Sequence, residues 1–206
     1  MRIPKPINNL IDAFQKLPGI GPKTAQRLTF YLLRVPQGQL DAFAESLTNL
    51  KKNTVFCSIC KNVSESDPCS ICRDPNRDKS MVLVVEEPLD ILVFERSGKY
   101  NGLYHALHGR ISPLENIGPD EIFIQELIDR LKAGDIHELI IATNPNMEGE
   151  ATAMYISQKL KTLPAQTGQN SDLKITRLGM GIPTGADVEF ADDLTLTRAI
   201  EGRREI

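Results

Sequence analysis

The chain has 206 residues, of which 41% are hydrophobic and 25% are charged, a composition typical of one or two globular domains. No apolar run approaches the roughly 20 residues of a membrane span, and the first residues lack the apolar stretch of a signal peptide. These features exclude an integral membrane protein and predict a cytoplasmic location. The formal net charge of −3 and the pI of about 5.7 argue, taken alone, against nucleic acid as a partner.

The charge is distributed unevenly along the chain. Residues 1–52 hold 8 Lys and Arg against 3 Asp and Glu, a net charge of +5. Residues 53–80 hold 4 of each and are neutral, whereas residues 81–206 hold 12 against 20 and carry −8. The whole-chain value is therefore a sum of unlike parts, and the basic N-terminal region can still bind an anionic partner.

Three short helices are predicted in the N-terminal region. Apolar residues recur at helical spacing over residues 7–17, again over residues 24–33, and a third time over residues 40–50. The sequence Pro-Gly-Ile-Gly-Pro at residues 18–22 interrupts the pattern between the first two helices. The pattern therefore predicts helices joined by tight links.

The first of these links has the composition of an anion-binding turn. Gly19 and Gly21 let the backbone turn sharply and expose its N–H groups, while Ile20 anchors the turn. Free amides at the positive end of the next helix favour a bound phosphate. Lys23 and Arg27 lie four residues apart and share one face of that helix. This pattern indicates a helix-hairpin-helix motif, which grips the sugar-phosphate backbone without reading base sequence; the alternative is an ordinary helix link with a solvated basic face.

All four cysteines fall in one short segment, with the spacing Cys57-x2-Cys60-x8-Cys69-x2-Cys72. Each C-x-x-C pair places two thiolates on one side of a tight turn, and two pairs complete a tetrahedral shell for zinc. Disulfides are the alternative, which a cytoplasmic setting disfavours. Because such a shell leaves no open position, the predicted zinc is structural and holds together a segment too short to bury its own core.

From residue 80 onward the sequence alternates between strand and helix patterns. Strands are predicted at residues 81–85, 103–107, 139–142 and 173–178. Helices are predicted at residues 122–131, 151–160 and 192–201, the last followed by a glycine, and residues 162–171 form a polar loop. This alternation predicts an α/β fold with a mostly parallel sheet and helices on both faces.

Acidic and amide side chains follow two of the predicted strands. Glu86 and Asp90 come after the first buried strand, and Asn144, Asn146 and Glu148 come after another. Carboxylates gathered at adjacent strand ends are typical of Mg²⁺ sites for phosphoryl chemistry. The two asparagines weaken such a site, and they serve equally well as N-caps for the following helix. The residues therefore predict no complete reaction centre.

Histidine and tyrosine offer little further chemistry. His105 and His108 have no serine or cysteine at a spacing that suggests a triad, and both are predicted to be structural or on the surface. Tyr104 could act as a topoisomerase-like nucleophile. Its place in a predicted strand among apolar residues favours core packing instead.

In this order, the motifs resemble the RecR family of bacterial recombination proteins over essentially the whole chain. The resemblance is carried by residues 17–21, the four cysteines, and residues 84–90, 102–105, 111–114, 142–145, 148–153 and 192–204. It implies a helix-hairpin-helix region at residues 1–53, a C4 zinc finger at 54–79 with its core at 57–72, a Toprim domain at 80–178, and a C-terminal segment at 179–206 that contacts other subunits.

The resemblance also implies a function. Family members form dimers and tetramers that clamp single- and double-stranded DNA, and they act with RecO and RecF to load RecA at single-strand gaps. It implies one structural Zn²⁺ per chain, association with the nucleoid, DNA contacts at Lys23 and Arg27 beside the contacts predicted above for Gly19 and Gly21, and partner contacts at the acidic Toprim positions Glu86, Asp90 and Glu148.

The sequence departs from the catalytic Toprim pattern at one point. Toprim enzymes carry Asp-x-Asp where this chain has Asn144-Pro145-Asn146, so two carboxylates are missing from the metal cradle. This departure favours a DNA-binding protein without catalysis. The alternative is a Mg²⁺-dependent nuclease or topoisomerase-like enzyme to which the hairpin delivers DNA.

Overall fold

The computed structural model describes residues 3–133, 135–162 and 173–203. The chain divides into two compact units, Met1–Thr54 and Val55–Ile206. The first unit contains three helices, α1 (Lys5–Gln15), α2 (Pro22–Leu32) and α3 (Gln37–Asn49). The three predicted N-terminal helices are therefore confirmed, with boundaries shifted by a few residues.

Helices α1 and α2 pack together around a small core. Ile11, Ala25 and Thr29 are buried, and the Thr29 hydroxyl donates to the carbonyl of Ala25 at 2.9 Å. Helix α2 begins at Pro22, whose fixed φ suits the first helical position. Within the described residues no side chain of α3 is buried, and Phe43 and Leu47 of its apolar face are exposed.

The second unit opens with the cysteine segment. Strands β1 (Val55–Phe56) and β2 (Val63–Ser64) pair antiparallel, and the short helix α4 (Ser70–Arg73) follows. The sequence pattern does not predict these elements because two-residue strands are too short to show a period. They place the two C-x-x-C pairs on neighbouring turns.

A four-stranded parallel sheet forms the body of this unit. Its strands are β3 (Asp78–Val85), β4 (Gly102–Ala106), β5 (Glu138–Ile141) and β6 (Lys174–Arg177), in the spatial order β4-β3-β5-β6. Every neighbouring pair is parallel. The four predicted strands and their parallel pairing are confirmed, although β3 begins three residues earlier than predicted.

Helices cover both faces of the sheet, as predicted. Helices α6 (Ile124–Ala133) and α7 (Met147–Lys161) contribute to the apolar cluster that contains Val82 and Val84 of β3. Helix α5 (Pro88–Ser97) covers the other face through Ile91, which packs in the cluster of Leu83 and Val85. Alternate residues of β3 therefore face opposite layers, as the pleat requires.

The C-terminal segment ends in helix α8 (Asp193–Glu201), which is predicted correctly. Asp192 caps it by accepting a hydrogen bond from the Thr195 amide at 3.0 Å, and Gly202 follows its last residue. The predicted polar loop at residues 162–171 lies almost wholly outside the described residues. No helix in the described part of the chain combines the length and apolar character needed to cross a membrane.

Candidate nucleic-acid interface and metal centre

The turn between α1 and α2 leaves a helix N-terminus open. Gly19 adopts a φ of +78°, a left-handed conformation that favours glycine. Gly21 is the N-cap of α2, and no side chain caps the helix there. The first N–H groups of a helix have no intrahelical acceptor, and a Cβ added at either glycine would meet no atom within 4 Å. An anion can therefore approach these amides without steric hindrance.

Two cations lie on the first turns of α2. Lys23 and Arg27 are both exposed, and neither forms an ion pair with any described residue. They lie one turn apart on the helix. The structure thus brings all four predicted DNA-contact positions, Gly19, Gly21, Lys23 and Arg27, to one end of one helix.

The four cysteine sulfurs gather into a compact cluster. The Sγ atoms of Cys57, Cys60, Cys69 and Cys72 all lie within 4.8 Å of one another, and the first three residues are buried. The Cys60 and Cys69 sulfurs are 3.6 Å apart, close to the roughly 3.8 Å separation that tetrahedral coordination at a Zn–S distance of about 2.3 Å requires. The cluster therefore fits a structural zinc ion.

Backbone amides and neighbouring thiols influence the ionisation of these sulfurs. The amide of Cys69 donates to the Cys57 sulfur and that of Cys72 to the Cys69 sulfur, each at 3.4 Å. Hydrogen bonds from Cys60 and Cys72 lower the pKa of Cys69, and the neighbouring sulfurs raise the pKa of Cys60 and Cys72. Without a metal, like charges keep the four thiols from ionising together. A divalent cation supplies the charge that lets all four bind as thiolates.

The cysteine segment is anchored to the sheet by polar and apolar contacts. The Ala106 amide of β4 donates to the carbonyl of Cys60 at 2.9 Å. The His108 ring bonds the Lys61 carbonyl at 2.6 Å and meets the ring of Phe56 edge-on at 4.7 Å. These contacts give His108 a structural role, as predicted.

Asn144 and Glu86 form a closed pair at the carboxyl edge of the sheet. Glu86 is only 3% exposed. Its two oxygens accept hydrogen bonds from the Asn144 backbone amide at 2.8 Å and from the Asn144 side chain at 2.7 Å. Gly149 of α7 allows this approach, since a Cβ there would lie 2.1 Å from the Asn144 carbonyl oxygen. Asn146 instead caps α7 by accepting from the Gly149 amide at 2.8 Å, so only one of the two asparagines takes the predicted capping role.

Protein donors also satisfy the other acidic side chains at this edge. Glu148 accepts from Arg110 and from the Ser112 hydroxyl, and the Arg110 hydrogen bond lowers the pKa of Glu148. Glu150 pairs with Arg177 at 2.8 Å. The Asp90 carboxylate accepts from the Glu87 amide in a capping box at the start of α5. Among the described residues, the four cysteines are the only His, Cys, Asp and Glu cluster placed to share a metal ion.

Four family models match the chain in sequence order. They are the RecR helix-hairpin-helix over residues 7–51, the RecR four-cysteine zinc finger domain over residues 54–74, the Toprim domain over residues 80–178, and the RecR C-terminal region over residues 181–204. Together they span nearly all of the chain. The chain belongs to the RecR family.

Membership in the RecR family assigns the protein to recombinational DNA repair. Its helix-hairpin-helix and zinc finger domains fit DNA binding, and its domains point to a repair mediator rather than an enzyme. The zinc finger match and the cysteine cluster together support a structural zinc. The resemblance to the RecR family and its zinc cofactor are confirmed.

The sequence pattern does not predict the arginines of the Toprim edge. Arg110 pairs with Glu148 across 38 positions and Arg177 pairs with Glu150 across 27. No local pattern connects residues so far apart. The predicted core role of Tyr104 is confirmed, because Tyr104 is fully buried and its hydroxyl donates to Glu95 at 2.6 Å.

Proposed function

We propose that this RecR-family protein is a non-catalytic mediator of recombination that holds the phosphates of single- or double-stranded DNA at its N-terminal hairpin. The observation that carries the proposal is the uncapped start of α2 beside two cations without a carboxylate partner among the described residues. Backbone amides and positive side chains bind phosphate independently of base identity. Gly19 and Gly21 leave room for the backbone of DNA, and Lys23 and Arg27 supply charge.

The Toprim edge supports a role without catalysis. A Mg²⁺ ion for phosphoryl chemistry needs carboxylate oxygens that are free to coordinate it. Here Glu86 is occupied by Asn144, Glu148 by Arg110 and Ser112, and Glu150 by Arg177. A metal ion could enter only after several of these hydrogen bonds broke.

The same acidic region serves protein partners in this proposal, with RecO and RecF as those partners. The net charge of −8 over residues 81–206 suits a basic surface. Asp90 and Glu148 are partly exposed and can meet a partner directly. Glu86 is buried, so its contribution is indirect: it fixes the loop that begins at Asn144.

Assembly of several chains completes the proposed clamp. One hairpin with two cations holds DNA weakly, whereas hairpins linked in one oligomer act at a high effective concentration. Exposed apolar side chains offer contacts between copies in α3 and in the C-terminal segment, among them Phe43, Leu47, Val188 and Phe190. A dimer or tetramer that closes around DNA would present the acidic region for RecA loading at single-strand gaps.

The experiment that tests this function measures DNA affinity over a range of salt concentrations. The variant Lys23→Ala/Arg27→Ala should weaken binding to all sequences alike and flatten the salt dependence by about one unit per lost phosphate contact. The control Lys132→Ala removes an exposed lysine that pairs with Asp129 on α6 and should leave both quantities unchanged. An unchanged affinity and slope in the double variant would remove the hairpin from the proposed interface.

A further inference from the structure

Arg130 of α6 is half-buried, and no carboxylate of the described residues pairs with its charge. Its Nη1 atom donates to the carbonyl of Tyr104 at 2.6 Å. Its Nη2 atom is buried and has no hydrogen-bond partner among the described residues, and Arg130 forms no ion pair within that part of the chain. A guanidinium stays protonated at neutral pH. A buried charge is normally paired or set beside a metal site, so Arg130 requires a negative group nearby.

The outer edge of β4 contacts both Arg130 and the cysteine segment. The Leu107 amide bonds the Val85 carbonyl of β3, so odd-numbered residues of this segment face β3 and even-numbered ones face outward. The outward carbonyl of Tyr104 accepts from Arg130, and the outward amide of Ala106 bonds the zinc-binding turn. Two residues of a strand span about 7 Å. Arg130 and the cysteine segment are therefore neighbours along one strand edge.

The cysteines supply negative charge near Arg130. Burial lowers the pKa of Arg130, and the cysteines Cys72, Cys60 and Cys57 oppose that shift. Burial lowers the pKa of His105 to about 3 and raises the pKa of Tyr100, so both rings are neutral at pH 7. Four thiolates on one Zn²⁺ carry a net charge of −2.

We propose that Arg130 is the counter-charge of the zinc–tetrathiolate centre and a positioning residue for it. Its hydrogen bond to Tyr104 fixes its place on the edge of β4 that also bonds the zinc-binding segment. Groups outside the ligand shell tune metal affinity in this way. Zinc binding and the packing of α6 on the sheet are thereby coupled.

A purely structural role predicts a different result. If Arg130 only covers the Tyr104 carbonyl, any side chain that still donates a hydrogen bond should replace it, whatever its charge. Arg130→Gln keeps a donor and removes the charge, whereas Arg130→Lys keeps both. Lys132→Gln removes an exposed charge from the same helix and serves as the matched control.

The test measures Zn²⁺ affinity of the full chain by competition with a chelating dye. Arg130→Gln should bind Zn²⁺ about 10-fold more weakly than the wild type, and Arg130→Lys and Lys132→Gln should bind it with wild-type affinity. The rise in unfolding temperature on adding Zn²⁺ should also shrink in Arg130→Gln. If Arg130 served only in packing, Arg130→Gln would instead lower the unfolding temperature by the same amount with and without zinc.

Two results would overturn the proposal. The first is wild-type Zn²⁺ affinity in Arg130→Gln. The second is a loss of affinity in Arg130→Lys as large as that in Arg130→Gln. The lysine variant keeps the test decisive if the glutamine variant does not fold, because affinity lost while the charge is retained contradicts a counter-charge role.

Discussion

Asn144 illustrates how one amide changes what a buried carboxylate can do. An aspartate at this position would place a second negative charge within about 3 Å of Glu86, and a cation would be needed to hold the two together. The amide instead donates to Glu86 from its side chain and its backbone. The pair therefore stiffens the loop at the end of β5 without any need for a metal ion.

Glu95 is a second carboxylate whose charge the fold uses. It accepts hydrogen bonds from Arg77 and from the Tyr104 hydroxyl, and the Arg77 contact lowers the pKa of Glu95 below its ordinary value of 4.5. A carboxyl with a depressed pKa in the folded state stabilises that state above its unfolded pKa, and the contribution is lost as the pH falls through the folded pKa.

Replacing Glu95 tests whether its charge stabilises the fold. Glu95→Gln should lower stability at pH 7 by about 1.5–3 kcal/mol, the range for a hydrogen bond to a charged group. The difference from the wild type should shrink as the pH falls below 4.5, the ordinary value, because the unfolded wild-type chain then binds a proton that the folded chain takes up only at lower pH. Thermal unfolding across this pH range measures it, with the exposed Glu201→Gln as control. A difference that does not depend on pH would show that the charge of Glu95 is not what stabilises the fold.

The zinc-binding segment is an element that cannot fold by burial alone. Its strands have two residues each, and its buried core consists of Cys57, Cys60 and Cys69, with Ile71 packed against them. Metal coordination therefore supplies most of its folding energy. The hydrogen bond from the Ala106 amide to the Cys60 carbonyl then connects the folded segment to the edge of the sheet.

Replacing one ligand should disrupt the whole element. Cys57→Ser should lower bound zinc well below one ion per chain and lower the unfolding temperature by roughly 5–10 °C. Zinc content and thermal unfolding measure this, and Glu65→Gln, at an exposed position of the same segment, should match the wild type. If the variant lost DNA binding while its stability stayed unchanged, the finger would be a DNA contact surface rather than a structural support.

Helices and strands with a clear local pattern of apolar residues can be predicted from the sequence. Contacts between distant elements cannot. The buried run in β3 and the helical spacing in α1, α2 and α6 are local signals, and they predict these elements correctly. Helix α5 is not predicted because its apolar residues do not mark one buried face. Leu89, Leu92 and Val93 are all exposed. The metal site can be predicted because the spacing of the cysteines is visible in the sequence. The arginine partners of the Toprim carboxylates cannot, because they come together only in the tertiary fold.

At the scale of the whole chain, charge and apolar surface are divided between segments. Residues 1–52 carry +5 and residues 81–206 carry −8, which suits the proposed division between a DNA-binding segment and a segment that meets basic proteins. The C-terminal segment exposes large apolar side chains, of which Phe190 is 80% exposed and Leu194 64%. Such side chains typically mark contact surfaces.

This surface leads to a prediction about assembly. The protein should form an oligomer of two or four chains of 22.9 kDa each, and Phe190→Glu should shift it to smaller species because it places a charge in an apolar contact. Light scattering after size exclusion measures the mass with and without DNA. Thr184→Glu adds the same charge at an exposed polar position and should not change the mass. A wild-type monomer in both conditions would exclude a clamp.

The proposed function requires that the protein binds DNA without cleaving it, and one assay measures both binding and cleavage. End-labelled DNA is incubated with the protein and Mg²⁺ or Mn²⁺, and each sample is run on a native gel and on a denaturing gel. The engaged carboxylates Glu86, Glu148 and Glu150 and the open start of α2 predict DNA that is shifted on the first gel and intact on the second. Cleavage that Glu86→Gln abolishes, or DNA that does not shift, would contradict the account.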